Sequence, residues 1–408
     1  MRIFKRGGTT MKSKHHLANS VFLLLFLGAM AAFPIWTALG PRETFSSYEN
    51  RALAVRPPMT VENVLDGSFF SSMDDFLSDH LAWRNQLLTL STWVDYALTG
   101  KISVNDQVIA GDVLVPYQGF SKWDLGYIED QSQDMGDRLA RLNGQITGYG
   151  GYFLYLGIPE QFSYFRDRYP SYMDNRAWVL EPIQAQFTSA LKERGVPFLD
   201  AGLVYDVLEH PDEFYSKIDH HYTYSGMLAS YGALMERINT DTGLGLSILT
   251  KDDLELTSLP NPYLGSRSRR LCGLWKSDEA VVIGTLKDPI PFTRTDNGET
   301  VAANLYTLPE SNTEPVGFTV YMGGDISETV IETNRPDLPN ALIFGDSFTD
   351  PLETVFWTSF NETRSLDLRG YTAKSLEEYI EEFKPDVVIC VRDDTMYTST
   401  AGNGNLPK

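Results

Sequence analysis

The chain has 408 residues and a formal net charge of −20, with 42% hydrophobic and 22% charged residues. This composition is typical of a folded globular protein and excludes a disordered or fibrous chain. The acidic excess argues against nucleic-acid binding, which needs a basic surface to displace counterions from phosphates. Two cysteines and six histidines argue against a multi-zinc or disulfide-framework protein.

The first 40 residues differ in charge from the rest of the chain. They contain five basic and no acidic side chains, so the remaining residues carry a net charge of −25. The uncharged apolar run 21–39 is long enough to span a bilayer, and the basic residues before it favour a cytoplasmic N-terminus. The sequence therefore predicts a cytoplasmic basic segment, 1–20, a transmembrane anchor, 21–39, and an extracytoplasmic domain, 40–408, on a single-pass cell-membrane protein.

A signal peptide, cut near the small residues at 38–40 and followed by secretion, is the alternative to an anchor. We favour the anchor because the apolar run is longer than most signal-peptide cores. A buried helix of a soluble protein fits less well, since it would leave five basic charges at its start.

Export would place Cys272 and Cys390 in an oxidising compartment where they could pair. Cys390, however, ends an apolar run that is typical of a buried strand. We therefore expect two unpaired cysteines that behave as small hydrophobic residues.

Helical and strand patterns alternate along the rest of the chain. Helices are predicted over about 71–98, 128–146, 178–194, 223–239 and 375–384. Short apolar runs bounded by Gly or Pro predict buried strands at 152–156, 196–199, 341–344 and 386–390. This alternation favours an α/β fold with a mostly parallel sheet and helices on both faces.

The stretch 247–337 breaks the alternation. It contains short alternating segments, many prolines and the hairpin-turn pair Asn297-Gly298. We expect a β-rich insertion or flap before the strand at 341–344.

One candidate catalytic site follows that strand, in Gly345-Asp346-Ser347. A serine at the carboxyl end of a strand projects its hydroxyl into the crevice where open α/β sheets bind ligands. Its amide lies near a helix N-terminus, where N–H donors stabilise an oxyanion. A helix N-cap is the alternative role for this Asp-Ser pair.

The second candidate site is Asp219-His220-His221, since a serine nucleophile needs a base and an orienting carboxylate. Outside the first 40 residues the available histidines are His80, His210, His220 and His221. The first of these is expected in mid-helix and the second in an exposed turn. In an extended segment, Asp219 and His221 project to one face, so that Asp219 orients His221 toward Ser347. His220 would then point the other way, toward packing or a contact that supports the site.

Two other interpretations of Asp219-His220-His221 remain open. A pair of histidines before a helix can serve as a local cap or as satisfied core residues. Phosphoesterases of the DHH type use these residues as metal ligands, but with aspartate-rich motifs upstream, and no Asp-x-Asp arrangement precedes Asp219. We therefore expect no metal and no cofactor.

Four motifs occur together in a fixed order along the chain. They are Glu49-Asn50-Arg51, Asp79-His80, Asp219-His220-His221-Tyr222 and Gly345-Asp346-Ser347-Phe348. The combination resembles DHHW-family proteins of bacteria, which are similar to the periplasmic alginate O-acetyltransferase proteins of the SGNH-hydrolase-like superfamily. The resemblance covers most of 40–408.

The resemblance implies an SGNH-hydrolase-like three-layer α/β fold in which the acid and the base precede the nucleophile. Carried over by position, Asp219 is the orienting acid, His221 the base and Ser347 the nucleophile. The family's Trp is Tyr222 here, which keeps an aromatic ring but removes any indole N–H contact. No second oxyanion donor aligns. Arg392 is a further candidate, for which we favour an ion pair with one of the two aspartates that follow it.

The expected function is an exported serine acyltransferase that O-acetylates a cell-surface polysaccharide through an acyl-serine intermediate. The resemblance also implies a multispanning membrane acyltransferase as donor-side partner, because acetyl-CoA stays in the cytoplasm. Two alternatives remain open. One is a secreted SGNH-type esterase (deacetylase) with the same triad, and the other is a non-catalytic carbohydrate-binding or assembly protein.

Overall fold

The computed structural model describes residues 9–39, 42–119 and 124–407. The chain divides into two compact units. The first unit comprises the residues up to Lys101 together with Leu271–Leu274, and the second comprises Ile102–Arg270 and the residues from Trp275 onward.

The first unit is mainly helical. Its elements are α1 Thr9–Leu39, β1 Phe45–Ser46, β2 Arg51–Ala52, α2 Val61–Leu65, α3 Ser68–Asp79 and α4 Arg84–Trp93, which continues as the π-helix Val94–Leu98. Among the described residues, α1 alone is long and apolar enough to cross a membrane, over Asn19–Thr37 with a mean hydropathy of 2.0.

The predicted single helix 71–98 is wrong, because the chain breaks between α3 and α4. Trp83 adopts a positive φ of 56° at this break. His80 is therefore the C-cap of α3, not a mid-helix residue, and its Nε2 lies 3.0 Å from the Ala54 carbonyl oxygen.

The break coincides with an ionic network that joins two of the motifs. Arg51 donates two hydrogen bonds to Asp79, of 2.7 and 2.5 Å, and Arg84 donates one of 2.5 Å to Glu49. The hydrogen bonds from Arg51 hold the pKa of Asp79 at about 2, although partial burial opposes this shift. These motif residues tie the segment before α2 to the α3–α4 junction.

The second unit is a mixed α/β structure. Its helices are α5 Leu125–Gly148, α6 Gln161–Tyr164, α7 Ala177–Glu193, α8 Ala201–Val207, α9 Tyr224–Thr242, α10 Thr349–Phe356 and α11 Leu376–Phe383. Its strands are β3 Gln107–Ala110, β4 Val113–Pro116, β5 Tyr152–Ile158, β6 Phe198–Asp200, β7 Leu254–Ser258, β8 Val282–Leu286, β9 Thr293–Asp296, β10 Glu299–Val301, β11 Glu328–Glu332, β12 Ala341–Gly345, β13 Glu362–Leu366 and β14 Val387–Asp393.

The large central sheet has the strand order β10-β9-β11-β13-β12-β14-β5-β6. The five strands from β13 to β6 pair in parallel, whereas β10, β9 and β11 add to the β13 edge in antiparallel pairs. The mostly parallel sheet predicted from the alternating pattern is confirmed. Helix α5 packs on α7 and α11, and α9 packs on α8 and α10, while β5 contacts both α5 and α9.

The predicted buried strands correspond to β5, β6, β12 and β14. Strand β12 carries four side chains with no exposed surface, and Cys390 in β14 is a free, fully buried thiol, as expected. Strand β6 begins two residues later than predicted, after Pro197, which has no N–H to donate to a neighbouring strand.

The predicted helices 128–146, 178–194, 223–239 and 375–384 correspond to α5, α7, α9 and α11. The last of these begins with a capping box, in which Ser375 and Glu378 bond to each other's backbone N–H groups. The capping residues in the sequence therefore correctly predict where α11 begins.

The stretch 247–337 contains strands β7 to β11. Asn297 and Gly298 both have positive φ angles, of 49° and 84°, and join β9 to β10 in the predicted hairpin. Strands β7 and β8 form a separate antiparallel pair. Strands β9 to β11 instead belong to the central sheet.

Candidate active site

Ser347 lies at the carboxyl end of β12, two residues before α10 begins, and is half-buried. Its position confirms the strand–turn–helix arrangement expected for Gly345-Asp346-Ser347. Gly345 is required for a reason that the sequence did not indicate. A Cβ atom at this position would lie 2.2 Å from the Val391 carbonyl oxygen of the neighbouring strand β14.

Asp219 and His221 lie in a tight loop that leads into α9. The residues Tyr215 and Tyr222 form an antiparallel bridge at the base of this loop, and the Thr223 side chain caps α9. Both candidate residues are almost fully buried, with 2% of Asp219 and 3% of His221 exposed.

The structure brings the three predicted site residues into one hydrogen-bonded chain. The Asp219 Oδ1 atom lies 2.6 Å from His221 Nδ1, and His221 Nε2 lies 2.7 Å from the Ser347 hydroxyl oxygen. These distances match those of a nucleophile, a base and an orienting acid, which need contacts of roughly 2.6–3.2 Å. Residues 126 positions apart in the sequence therefore meet at one point.

Asp219 is held as a carboxylate by several N–H groups. Its Oδ2 atom accepts a hydrogen bond of 2.6 Å from the Ser266 amide, and Oδ1 accepts one of 3.1 Å from the His221 amide. Burial alone would raise the pKa of Asp219, but the charge and hydrogen bond of His221 and the Ser266 bond keep it well below its usual value.

Two aromatic rings fix the orientation of the His221 imidazole. Phe318 stacks on its face with a centroid separation of 3.5 Å and an interplanar angle of 6°. Phe348, directly after the candidate nucleophile, approaches at 4.9 Å in an edge-on geometry. Because the ring is packed in this way, its Nε2 atom stays directed at Ser347.

The prediction that His220 points away from His221 is wrong, but the predicted supporting contact is present, because His220 bonds to Ser266. The segment bends at this point, and the centroids of the two imidazoles lie 3.7 Å apart. The Nδ1 atom of His220 lies 2.7 Å from the Ser266 hydroxyl. Burial, together with the charge of His221 when that residue is protonated, lowers the pKa of His220 well below its usual value.

Tyr222, which stands where the resembled DHHW motif has Trp, has its own polar contact. Its ring is buried and packs edge-on against Phe348 at 5.0 Å. Its hydroxyl donates a hydrogen bond to the Phe348 carbonyl oxygen. The phenol therefore ties the base-bearing loop to the segment that follows the nucleophile.

The expected ion pair of Arg392 is wrong. Its Nη1 donates a hydrogen bond of 2.9 Å to the Ser399 carbonyl oxygen, and within the described ranges no carboxylate lies within 4 Å of its guanidinium. Close packing against Gly404 also holds this side chain inside the fold. Arg392 therefore supports the C-terminal segment.

Asp346 supports the turn before the nucleophile. Its carboxylate accepts hydrogen bonds of 3.1 Å from the Phe348 and Asp393 amides. Burial, aided by the charge of Asp393, raises the pKa of Asp346 to about 7. Within the part of the chain that the structure describes, the Ser347 amide itself has no acceptor, so its N–H is available to a ligand.

Ligand atoms of Asp219, His220 and His221 lie within 4.8 Å of one another, close enough to surround a metal ion. Each of these atoms already has a protein partner, since both Asp219 oxygens accept N–H groups and His221 bonds to Ser347. A metal ion would have to break those bonds. The donor set therefore fits a hydrogen-bonded triad better than a metal site.

Several site residues were not found from the sequence. The Ser266 amide reaches Asp219 because the chain at Gly265 passes so close that a Cβ atom there would lie 2.3 Å from the Ile218 carbonyl oxygen. The stacking partner Phe318 has no local motif. Glu279 accepts hydrogen bonds from the Ser216 hydroxyl and from a backbone amide beneath the loop. In the sequence, the Gly265-Ser266 pair inside a proline-rich stretch is the one feature that could have indicated this close approach of the chain.

No protein-family model matches the chain, and no curated protein is significantly similar to it. Solved structures do share its fold. Bacillus cereus PatB1, solved with a sulfonyl adduct, aligns with a TM-score of 0.60 at 21% identity, covering 71% of this chain and 95% of that one. A DHHW family protein from Eubacterium siraeum aligns with a TM-score of 0.55 at 15% identity, covering 75% and 98% of the two chains. The structural neighbours thus include the family that the sequence motifs resemble.

Proposed function

We propose that this protein is an exported, membrane-anchored serine acyltransferase that O-acetylates a cell-surface polysaccharide. The observation that carries the proposal is the continuous hydrogen-bonded chain from Asp219 through His221 to Ser347. The resemblance of the four sequence motifs to the DHHW family supports it, as does the shared fold with a solved DHHW protein. The proposal includes an SGNH-hydrolase-like arrangement, with the nucleophile at the carboxyl end of β12.

In the first half-reaction, Ser347 Oγ attacks the carbonyl carbon of an acetyl donor while His221 Nε2 takes the hydroxyl proton. The bond between the acetyl carbon and Ser347 forms, and the bond to the leaving group breaks. The leaving group departs with the proton from His221. The Asp219 carboxylate, whose Oδ1 lies 2.6 Å from His221 Nδ1, stabilises the imidazolium in the transition state.

In the second half-reaction, a sugar hydroxyl attacks the acetyl-serine. His221 takes the proton of that hydroxyl, the new ester bond forms, and the bond to Ser347 Oγ breaks as the serine regains a proton. The Ser347 amide, whose N–H has no acceptor in the described chain, would donate to the oxyanion formed in each step.

The donor-side partner in this proposal is a multispanning membrane acyltransferase. Acetyl-CoA is cytoplasmic, so an enzyme on the outer side needs its acetyl group carried across the membrane. An anchor formed by α1 would keep the active site beside such a partner.

The test is turnover of a chromogenic acetyl ester by the purified full chain, with and without oligosaccharide acceptors. We expect turnover that Ser347→Ala abolishes, together with acetyl groups on the glycan. Ser163→Ala, a half-buried serine outside the triad that bonds to Asp394, is the matched control and should leave turnover unchanged. Turnover by water alone would favour the esterase. No turnover in the wild type, or equal turnover in Ser347→Ala, would favour a non-catalytic protein.

A further inference from the structure

Helix α4 exposes several large apolar side chains while polar side chains are buried on another side. A surface helix of a globular protein normally turns its apolar stripe inward. Here the apolar residues spaced along one face are exposed, with 55% of Leu90 and 67% of Leu98 accessible. We use the name α4 apolar face for Trp83, the N-cap of α4, Leu87 and Leu90 within α4, and Leu98 in the π-helix that continues it.

The opposite side of α4 is polar and points into the first unit. Only 3% of Thr92 is exposed, and the Thr89 hydroxyl donates a hydrogen bond of 2.5 Å to the Cys272 carbonyl oxygen. The polar side is thus used in packing while the apolar side faces outward. Helices α2 and α3 add further exposed apolar side chains, among them Leu65 and Phe70. Exposed apolar surface of this extent is typical of an interaction site.

The start of α4 is fixed to the end of the membrane-crossing stretch of α1. The Trp36 and Trp83 rings stack with a centroid separation of 6.0 Å and an interplanar angle of 19°. The Ala82 amide donates a hydrogen bond of 3.1 Å to the Thr37 hydroxyl. If α1 spans a bilayer, these contacts place Trp83, where the α4 apolar face begins, near the level of the lipid headgroups.

We propose that the α4 apolar face docks onto the outer surface of the bilayer that α1 spans. This proposal rests on the membrane anchoring in the proposed function but not on the catalytic triad. Tryptophan side chains concentrate at membrane interfaces, and three of the seven in the chain, Trp36, Trp83 and Trp93, lie in this region.

The docking does not depend on anionic lipids. The α4 apolar face itself carries no basic side chain, and Arg84 at the start of the helix is bound to Glu49. Interfacial helices that prefer anionic lipids carry Lys or Arg on their polar face. The face should therefore dock equally well on a zwitterionic phosphatidylcholine surface.

The test uses the full chain in phosphatidylcholine nanodiscs, one chain per disc, with a spin label at Leu90→Cys. The matched control is Leu308→Cys, an exposed leucine of the second unit. We expect several-fold less collision with a water-soluble nickel chelate, and more with oxygen, at position 90 than at position 308. Both native cysteines are buried, and labelling of the wild-type chain measures their background.

A second variant checks that the apolar side chains cause the effect. With the label at Leu98→Cys, adding Leu87→Glu and Leu90→Glu should restore nickel access and leave the unfolding temperature unchanged, because both leucines are exposed. Equal nickel access at positions 90 and 308 overturns the proposal. So does protection that appears only with two chains per disc or with an added membrane protein.

Failure of the chain to insert into nanodiscs would overturn the docking and the anchoring together. The catalytic proposal would survive this outcome, because ester turnover is measured on the same samples. Insertion with a water-exposed Leu90 would overturn the docking alone.

Discussion

Replacing Asp219 by Asn tests how the acid works, because an amide cannot satisfy all of its contacts. The Oδ1 atom receives N–H groups from the ring and the amide of His221, and Oδ2 receives one from Ser266. An Asn side chain has one oxygen and one NH₂ group, so its NH₂ group must face an N–H donor, either that of His221 or that of Ser266. If the NH₂ group faces His221, the imidazole adopts the tautomer that cannot accept the Ser347 proton.

We expect Asp219→Asn to lower kcat/KM for a chromogenic acetyl ester by about 10⁴-fold, the effect of the corresponding change in serine proteases. The unmet donor should also cost about 1–3 kcal/mol of unfolding free energy, measured by urea denaturation. The control is Asp212→Asn, an exposed acid that pairs with Arg168, which should change neither value substantially.

Retention of more than about one tenth of wild-type activity by folded Asp219→Asn would refute the reasoning, since it would correspond to a loss of only about 1.4 kcal/mol in transition-state stabilisation. Loss of activity with a fully unfolded variant would not test it. For this reason a far-UV circular dichroism spectrum belongs with every rate. His221→Ala, which removes the base itself, provides a second variant whose activity should be at least as low.

Three further predictions concern the surroundings of the triad. Gly265→Ala should lower the unfolding free energy by about 1–3 kcal/mol through overpacking and should also lower ester turnover. The control is Gly232→Ala, where a Cβ atom meets nothing within 4 Å, and it should leave turnover unchanged and stability unchanged or higher. Equal behaviour of the two variants would contradict the close approach at Gly265. Phe318→Ala should lower kcat more than it raises KM, because it frees the stacked His221 ring without removing a reacting group, and an unchanged kcat would show that the stacking is unimportant. Because burial raises the pKa of Asp346 to about 7, the folded protein keeps a proton that the unfolded chain loses above about pH 4. The contribution of Asp346 to the unfolding free energy should therefore fall as the pH rises from about 4 to 7, and Asp346→Asn should remove that contribution from the profile measured in urea titrations; an identical slope in the variant would contradict it.

The sequence was sufficient to find the three residues of the candidate triad, because each lies in a short pattern with a local physical meaning. Ser347 follows a buried strand and precedes a helix, and Asp219 and His221 stand two residues apart before a helix cap. Patterns of this kind depend on neighbouring residues alone, so they predict the local structure correctly. His221 and Ser347 are 126 residues apart in the sequence. They could still be assigned to one site because a serine nucleophile requires a base within hydrogen-bond reach.

The parts that were missed depend on contacts between distant segments. Ser266 lies 47 residues after Asp219, and no motif marks it as a donor. The direction of His220 differs from the prediction because the sequence favours an extended segment where the loop bends. The break before α4 was missed because 80–83 contain no Gly or Pro, and the ion pair of Asp79 with Arg51 that accompanies the break is a tertiary contact.

The strands at the β13 edge of the central sheet could not be predicted from the sequence either. Alternating patterns correctly predict strands within 247–337, but they do not indicate which other strand each one pairs with. Strand β11 pairs with β13, a segment about 30 residues further along the chain, and thereby joins the sheet that carries Ser347.

The most direct test of the central claim is detection of the acyl-enzyme itself. The full chain, mixed rapidly with an activated acetyl ester and quenched in acid, is digested and analysed by mass spectrometry. We predict one acetyl group on the peptide that contains Ser347, at a level that His221→Ala strongly reduces and that falls when an acceptor glycan is added. Absence of acetyl from Ser347 while ester turnover continues, or acetylation that persists undiminished in His221→Ala, would contradict the proposed mechanism.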